Sequence, residues 1–170
     1  MLRNAIIDIY DQTDQVLNQL GALNGTALTE AFTDSGVGRH LRHMQDHERA
    51  LQASLKSGLV DYNRRQRDEP GERNLQVALH TGRFLRQAWL DADLSDRPVE
   101  VHSEISLTGS HSLELQSTLW RELMYMIHHN IHHLAYMRLL LKSQGVRIPE
   151  HIGQAPATAS YLRTLNAAGR

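Results

Sequence analysis

Cysteine is absent from the 170 residues, which removes disulfides, thiolate nucleophiles, iron–sulfur clusters and cysteine-type zinc sites together. Soft-metal chemistry in this chain therefore falls to histidine. A surplus of either charge is missing as well, since 18 Lys and Arg stand against 19 Asp and Glu for a net charge of −1. That balance lacks the basic excess with which proteins grip a phosphate backbone, so nucleic acid is not an expected partner. No apolar run approaches the roughly 18 residues of a membrane span, and Met1-Leu2-Arg3-Asn4 leads into an amphipathic pattern instead of a signal-peptide core. A cytoplasmic protein with no membrane partner is expected. A Gly-rich phosphate loop, a GxSxG elbow and a readable Ser/His/Asp pattern are also missing.

What is present, 41% hydrophobic and 22% charged residues, suits a single domain over residues 1–170 with a partly irregular tail from 150 to 170. A chain of this length buries about 70% of its unfolded surface, enough to fold without a structural metal. A metal bound here is therefore expected to be functional.

Ile6, Ile9, Tyr10, Leu17 and Leu20 recur at helical spacing up to Gly21 and Gly25, predicting a first helix over 2–23. Asp34 or Ser35 is placed to cap a second, with Val37, Leu41, Met44, Leu51 and Leu55 in one stripe and Gly58 as its stop. Residues 59–73 are polar, punctuated by Pro70 and Gly71, and read as a long connection of the kind that often carries function. Leu75, Leu79, Phe84, Leu85, Ala88 and Trp89 predict a third helix over 72–93, before Asp96 and Pro98 break the pattern. Val99, Val101, Ser103, Ile105 and Leu107 alternate, predicting one or two short strands on the crossover. A fourth helix is predicted over 113–144, from a Ser112 cap through Leu119, Leu123, Met126, Leu134, Met137 and Leu141 to Gly145. A short helix is expected at 157–165, and Trp89, Trp120, Phe84 and the methionines are expected in the core. Four long amphipathic helices predict an all-α four-helix bundle, whose interior commonly builds sites from facing helices.

Eleven histidines are the unusual number, and seven of them, His40, His43, His47, His128, His129, His132 and His133, fall in two short windows. At about 100° per residue, His129 and His133 lie within about 20° of Glu122 and border the buried face of the fourth helix. His128 and His132 lie further round, towards solvent or a partner subunit. An i, i+4 histidine pair sets two imidazoles where one ion can bridge them, and a third ligand must come from elsewhere. His40, His43 and His47 share one face of the second helix, and the wheel does not choose among them. Three neutral imidazoles with open positions make a site where a divalent ion activates a water or polarises a substrate oxygen. Nitrogen donors suit Zn or Ni better than Mg or Ca, and Mn and Fe accept imidazole too. Glu122 is a candidate to orient a ligand imidazole or take a proton, with a solvated or ion-paired carboxylate as the alternative. Asp61, Tyr62, Arg64, Arg65 and Asp68 are candidates for a pocket mouth that binds an anionic substrate, with a solvated charged loop as the alternative.

Ser35-Gly36-Val37-Gly38-Arg39-His40-Leu41-Arg42-His43 is similar to the opening of helix two in the DinB/YfiT-like superfamily of small metal-binding four-helix bundles. Arg121-Glu122-Leu123-Met124-Tyr125-Met126-Ile127-His128-His129-Asn130-Ile131-His132-His133 resembles that superfamily's helix-four block, with its paired ligand histidines four apart. Residues 60–68 and Gly153-Gln154-Ala155-Pro156-Ala157-Thr158 resemble one of its branches, so the likeness covers most of residues 35–160. The resemblance implies an up-down-down-up bundle, homodimers, and a nickel, zinc or other divalent-ion site held by His43, His129 and His133. It also implies thiol transferase or isomerase chemistry with low-molecular-weight thiols such as bacillithiol or mycothiol.

The expected function is accordingly that of a divalent-metal-binding protein with an open three-histidine site, acting as a metal-dependent transferase or hydrolase on a small molecule. The alternative is a non-catalytic metal- or ligand-binding stress-response protein, in which His40, His47, His132 or Glu122 closes or supports the site.

Overall fold

Ile6, Ile9, Tyr10, Val16, Leu17 and Leu20 bury one stripe of helix α1 (Leu2–Gly21), as their spacing requires. The computed structural model describes residues 1–64, 70–108 and 111–167. A short helix, α2 (Gly25–Leu28), passes into a π-helical turn over Thr29–Asp34 that buries Ala31 and Phe32. Gly36 then takes φ 89°, a left-handed turn that suits glycine, and Ser35 Oγ accepts the Val37 N–H at 3.2 Å to start α3 (Val37–Ser57). The first turn of α3 lies directly on a 3-10 turn at Pro70–Glu72, because a Cβ on Gly38 would run into the Glu72 carbonyl. Gly58, at φ 73°, ends α3. Asn74 caps α4 (Leu75–Asp91) by accepting the N–H groups of Gln76 and Val77.

Three strands follow and change the class of the fold. Strand β1 (Leu59–Asp61) pairs parallel to β2 (Pro98–Glu104), which pairs antiparallel to β3 (Ser112–Thr118) in the order β1-β2-β3. Val60 sits opposite Val101, and Val101 opposite Leu115. The expected all-α four-helix bundle, up-down-down-up, is thus corrected to a mixed fold of helices and a three-stranded mixed sheet. Val60, Val99 and Val101 bury the inner face of the sheet in the common core, so the strands are structural and not an ornament of the crossover. The alternation at 98–104 needs backbone partners on both edges, and β1 and β3 supply them.

The same pairing moves the start of the last long helix. Residues 112–118 satisfy the ladder as β3, and α5 begins at Leu119, capped by Thr118 Oγ1, which accepts the Arg121 N–H at 3.3 Å. It runs to Ser143. Helix α3 packs against α5 and α4, and α1 against the same two. Trp89, Met44, Met126, Leu123 and Leu134 fill the space between them. Trp120, Phe84 and Met124, expected inside, are 51%, 70% and 52% exposed. Trp120 instead lies at the rim, where its indole N–H donates to the Leu94 carbonyl at 2.7 Å. The tail is pinned by buried Ile152 and by the Gly153 N–H, which donates to Gln12 Oε1, before α6 (Pro156–Ala167). Among the described residues, no helix is long and apolar enough to cross a membrane.

Candidate metal centre

Helices α3 and α5 lie side by side, and each turns its histidine window towards the other. Across this interface His43, His129 and His133 offer ring nitrogens that all lie within 4.8 Å of one another. The Nε2 atoms of His43 and His129 are 3.2 Å apart. Two nitrogens bound at about 2.0–2.1 Å to a tetrahedral zinc stand roughly 3.3 Å apart, so this spacing fits a shared ion with little movement. Two imidazoles at that distance otherwise share a single proton between them.

The three rings interlock. His129 lies 4.5 Å from His133 and 5.0 Å from His43, centroid to centroid, with His43 4.9 Å from His133. Burial, followed by the neighbouring His129, His40 and His132, pushes the His133 pKa down to about 4. Its imidazole is therefore neutral at neutral pH, with a lone pair free to bind a cation. The donor set is all nitrogen, and it suits a borderline ion such as Zn or Ni.

The other predicted residues take distinct places around this trio. His40 Nδ1 lies 3.0 Å from His133 Nδ1, and burial, then Arg39 and His132, lowers its pKa. His47 is buried deeper, with its ring 4.3 Å from that of His129 and 4.6 Å from that of His43. His132 is exposed and touches only the flank of the group, 5.7 Å from the His133 ring. His128 is exposed. Glu122 is buried, and its carboxylate accepts from Tyr62 Oη at 2.9 Å, Ser117 Oγ at 2.7 Å and Arg121 Nη1 at 3.3 Å. Its link to the histidines runs through the Tyr62 ring, which packs 4.9 Å from His47. Burial and then the Glu122 charge raise the Tyr62 pKa, so its hydroxyl remains a donor.

Asp61 caps the turn after β1 by accepting the Asn63 N–H, and Arg64 beside it is 90% exposed. Neither lines the cavity that adjoins the histidines. Arg65 and Asp68 lie outside the described residues. That cavity, about 400 Å³, is bounded by Ser35, Gly36, Arg39, His40, His43, His133, Tyr136 and Leu140. Tyr136 packs 4.7 Å from the His40 ring, and Tyr125 stacks on His129 at 5.6 Å. Arg39, Tyr125 and Tyr136 were not singled out in the sequence. Their signal was position, since Tyr125 is one turn before His129, Tyr136 one turn after His133, and Arg39 next to His40.

Sequence reasoning also missed a buried acid beneath the site. Glu48 accepts from Tyr10 Oη and, at 2.8 Å, from Asn130 Nδ2, the neighbour of His129 on α5. Burial pushes its pKa up to about 7. A second cluster, Glu100, His102 and Glu114, is an ion-paired group on the β2–β3 surface, where the Glu100 contact raises the His102 pKa.

No family model matches the chain, and no solved structure matches it. Over 122 residues, 69% of this chain, the sequence is 28% identical to FK506-binding protein 5 of Rhizopus delemar. The matched region spans 31% of that relative's length.

Proposed function

We propose that this protein binds one divalent ion, Ni or Zn before Mn or Fe, through His43, His129 and His133, and acts as a metal-dependent transferase or hydrolase on a small molecule. A low-molecular-weight thiol is the co-substrate that the DinB/YfiT-like motif spacing suggests. The observation that carries the reading is the convergence of three imidazoles, with ring nitrogens within 4.8 Å of one another, beside a cavity of about 400 Å³. A divalent ion held there supplies Lewis acidity towards an oxygen or sulfur of the bound molecule. The chain does the rest. His40 and His47 pack the ligand rings in place, Tyr125 stacks on His129, and the cavity between α3 and α5 admits the molecule from the His40–Tyr136 side.

A second reading draws on the two further imidazoles, His40 and His47, whose rings lie 5.1 Å from His133 and 4.3 Å from His129. In it, one of them turns in to close the ligand set. The protein would then store or sense metal or a small ligand in a stress response. A homodimer belongs to the proposal as well, supported by Trp120 and Met124, exposed one turn apart on α5.

The deciding experiment is elemental analysis of tag-free protein prepared without chelator, for wild type, His43→Ala, His129→Ala and His133→Ala. One divalent ion per chain, lost in each folded variant, supports the centre. A wild type that stays metal-free when offered Zn or Ni overturns it.

A further inference from the structure

The charge in the cavity beside the triad is one-sided. Among the described residues, its lining contains one cation, Arg39, and no carboxylate. Arg39 is exposed and forms no ion pair among the described residues, whereas Arg42, one turn on, is held by Asp46 and by Glu72 at 2.6 Å. The guanidinium folds back over Gly36, where a Cβ would come within 3.2 Å of Arg39 Nη2. Glycine at this position leaves the guanidinium room to lie along the cavity wall.

The three buried carboxylates of the neighbourhood are committed elsewhere, Asp46 to Arg42 and Arg49. Glu48 is bonded to Tyr10 and Asn130, and Glu122 to Tyr62, Ser117 and Arg121. Imidazole binds a metal as a neutral ligand, so the triad brings no negative charge of its own to a divalent ion, and Arg39 adds a positive charge at the cavity wall. A site with this imbalance favours an anion.

We infer that the small molecule handled at this centre carries a carboxylate, received by the guanidinium fork of Arg39 while its other end reaches the histidine triad. This rests on the metal-binding reading above and adds the substrate class to it. Arg39 is a specificity residue, since its planar fork matches a carboxylate with two parallel hydrogen bonds. The Tyr136 and His40 rings wall the same side and leave a slot at the small end of ligand-pocket volumes, suited to a short molecule.

The test uses full-length protein loaded with cobalt(II), whose visible absorption reports both uptake of the ion and binding of a ligand to it. Two probes are titrated, succinate monohydroxamate and the uncharged butyrohydroxamate, into wild type, Arg39→Gln and Arg39→Lys. The expected result is that wild type binds the carboxylate probe at least about tenfold tighter, the difference expected of one charge-assisted bidentate contact. Arg39→Gln is expected to take up cobalt as before and to bind the two probes equally, and Arg39→Lys to keep part of the preference. Equal affinities in wild type, or a preference that survives Arg39→Gln, overturn the inference and leave the metal centre standing. A wild type that takes up no cobalt overturns the metal reading, and this inference with it.

Discussion

His129 Nε2 lies 3.2 Å from His43 Nε2 across the interface of α3 and α5. The pair ties two helices whose windows are 86 residues apart. Either ring replaced by alanine is expected to lower zinc or nickel affinity by more than about 100-fold, beyond the 10- to 100-fold typical of losing an outer-shell partner. Isothermal titration of the apo proteins measures it. Saturating metal is expected to raise the wild-type melting point and leave both variants unmoved, because only binding to the folded state stabilises it. Equal shifts in wild type and variants would remove these residues from the ligand set.

Glu48 makes the metal-free fold less stable as pH rises, while His133, with its pKa lowered to about 4, acts in the opposite sense. The Glu48 pKa is raised by burial from 4.5 to about 7, so the folded state holds a proton that the unfolded chain releases. The contribution is fully present below about 4.5 and is lost as pH rises through about 7. Between pH 5 and pH 8 the wild type is expected to lose about 2–3 kcal/mol relative to Glu48→Gln, at 1.36 kcal/mol for each pH step of proton linkage. Urea melts of both proteins across that range are the check, and parallel curves would refute it.

Gly38→Ala tests the seating of α3 on the Pro70–Glu72 turn. The added methyl would meet the backbone carbonyl of Glu72 and the ring of buried Phe32. A loss of about 1–3 kcal/mol is expected from such overpacking, read from the urea midpoint. Gly21→Ala is the control, because nothing lies within 4 Å of a Cβ there, and a helical alanine is expected to be neutral or slightly stabilising.

Tyr62→Phe removes one donor from the buried Glu122 carboxylate and leaves Ser117 and Arg121 in place. A loss of about 1–3 kcal/mol is expected, the usual cost of withdrawing a hydrogen bond from a charged buried group. Metal affinity is expected to change less than in the triad variants, since the Tyr62 ring packs on His47 and Tyr125, which in turn pack on His129. A collapse of metal binding in this variant would instead make Glu122 and Tyr62 part of the ligand support.

The helices and the histidine windows were legible because a 3.6-residue period and an i, i+4 pair are local properties. Ile6, Ile9, Leu17 and Leu20 on α1, or His129 and His133 on α5, need no knowledge of any other segment to be placed on one face. Gly58 as a stop and Ser35 before α3 are likewise chemistry of a few adjacent residues.

The sheet was not legible in the same way. Leu115 and Leu119 satisfy a helical spacing, and Leu113, Leu115 and Ser117 satisfy a strand, so 112–118 reads both ways until β2 offers a ladder. Strand β1 is three residues long, too short for any period to show, and exists because Val60 pairs with Val101 across a gap of 41 residues.

By itself the sequence determined which residues could do chemistry: imidazoles without thiols, grouped on two amphipathic helices in a chain of balanced charge. Only the tertiary structure decided which of them meet. The choice among His40, His43 and His47 depends on how α3 is rotated and raised against α5, a matter of a few ångströms set by long-range packing and not by period. The same packing placed Arg39 on the cavity wall and Arg64 in solvent, though both are arginines flanking candidate sites, because a side chain's surroundings are made by segments distant in sequence.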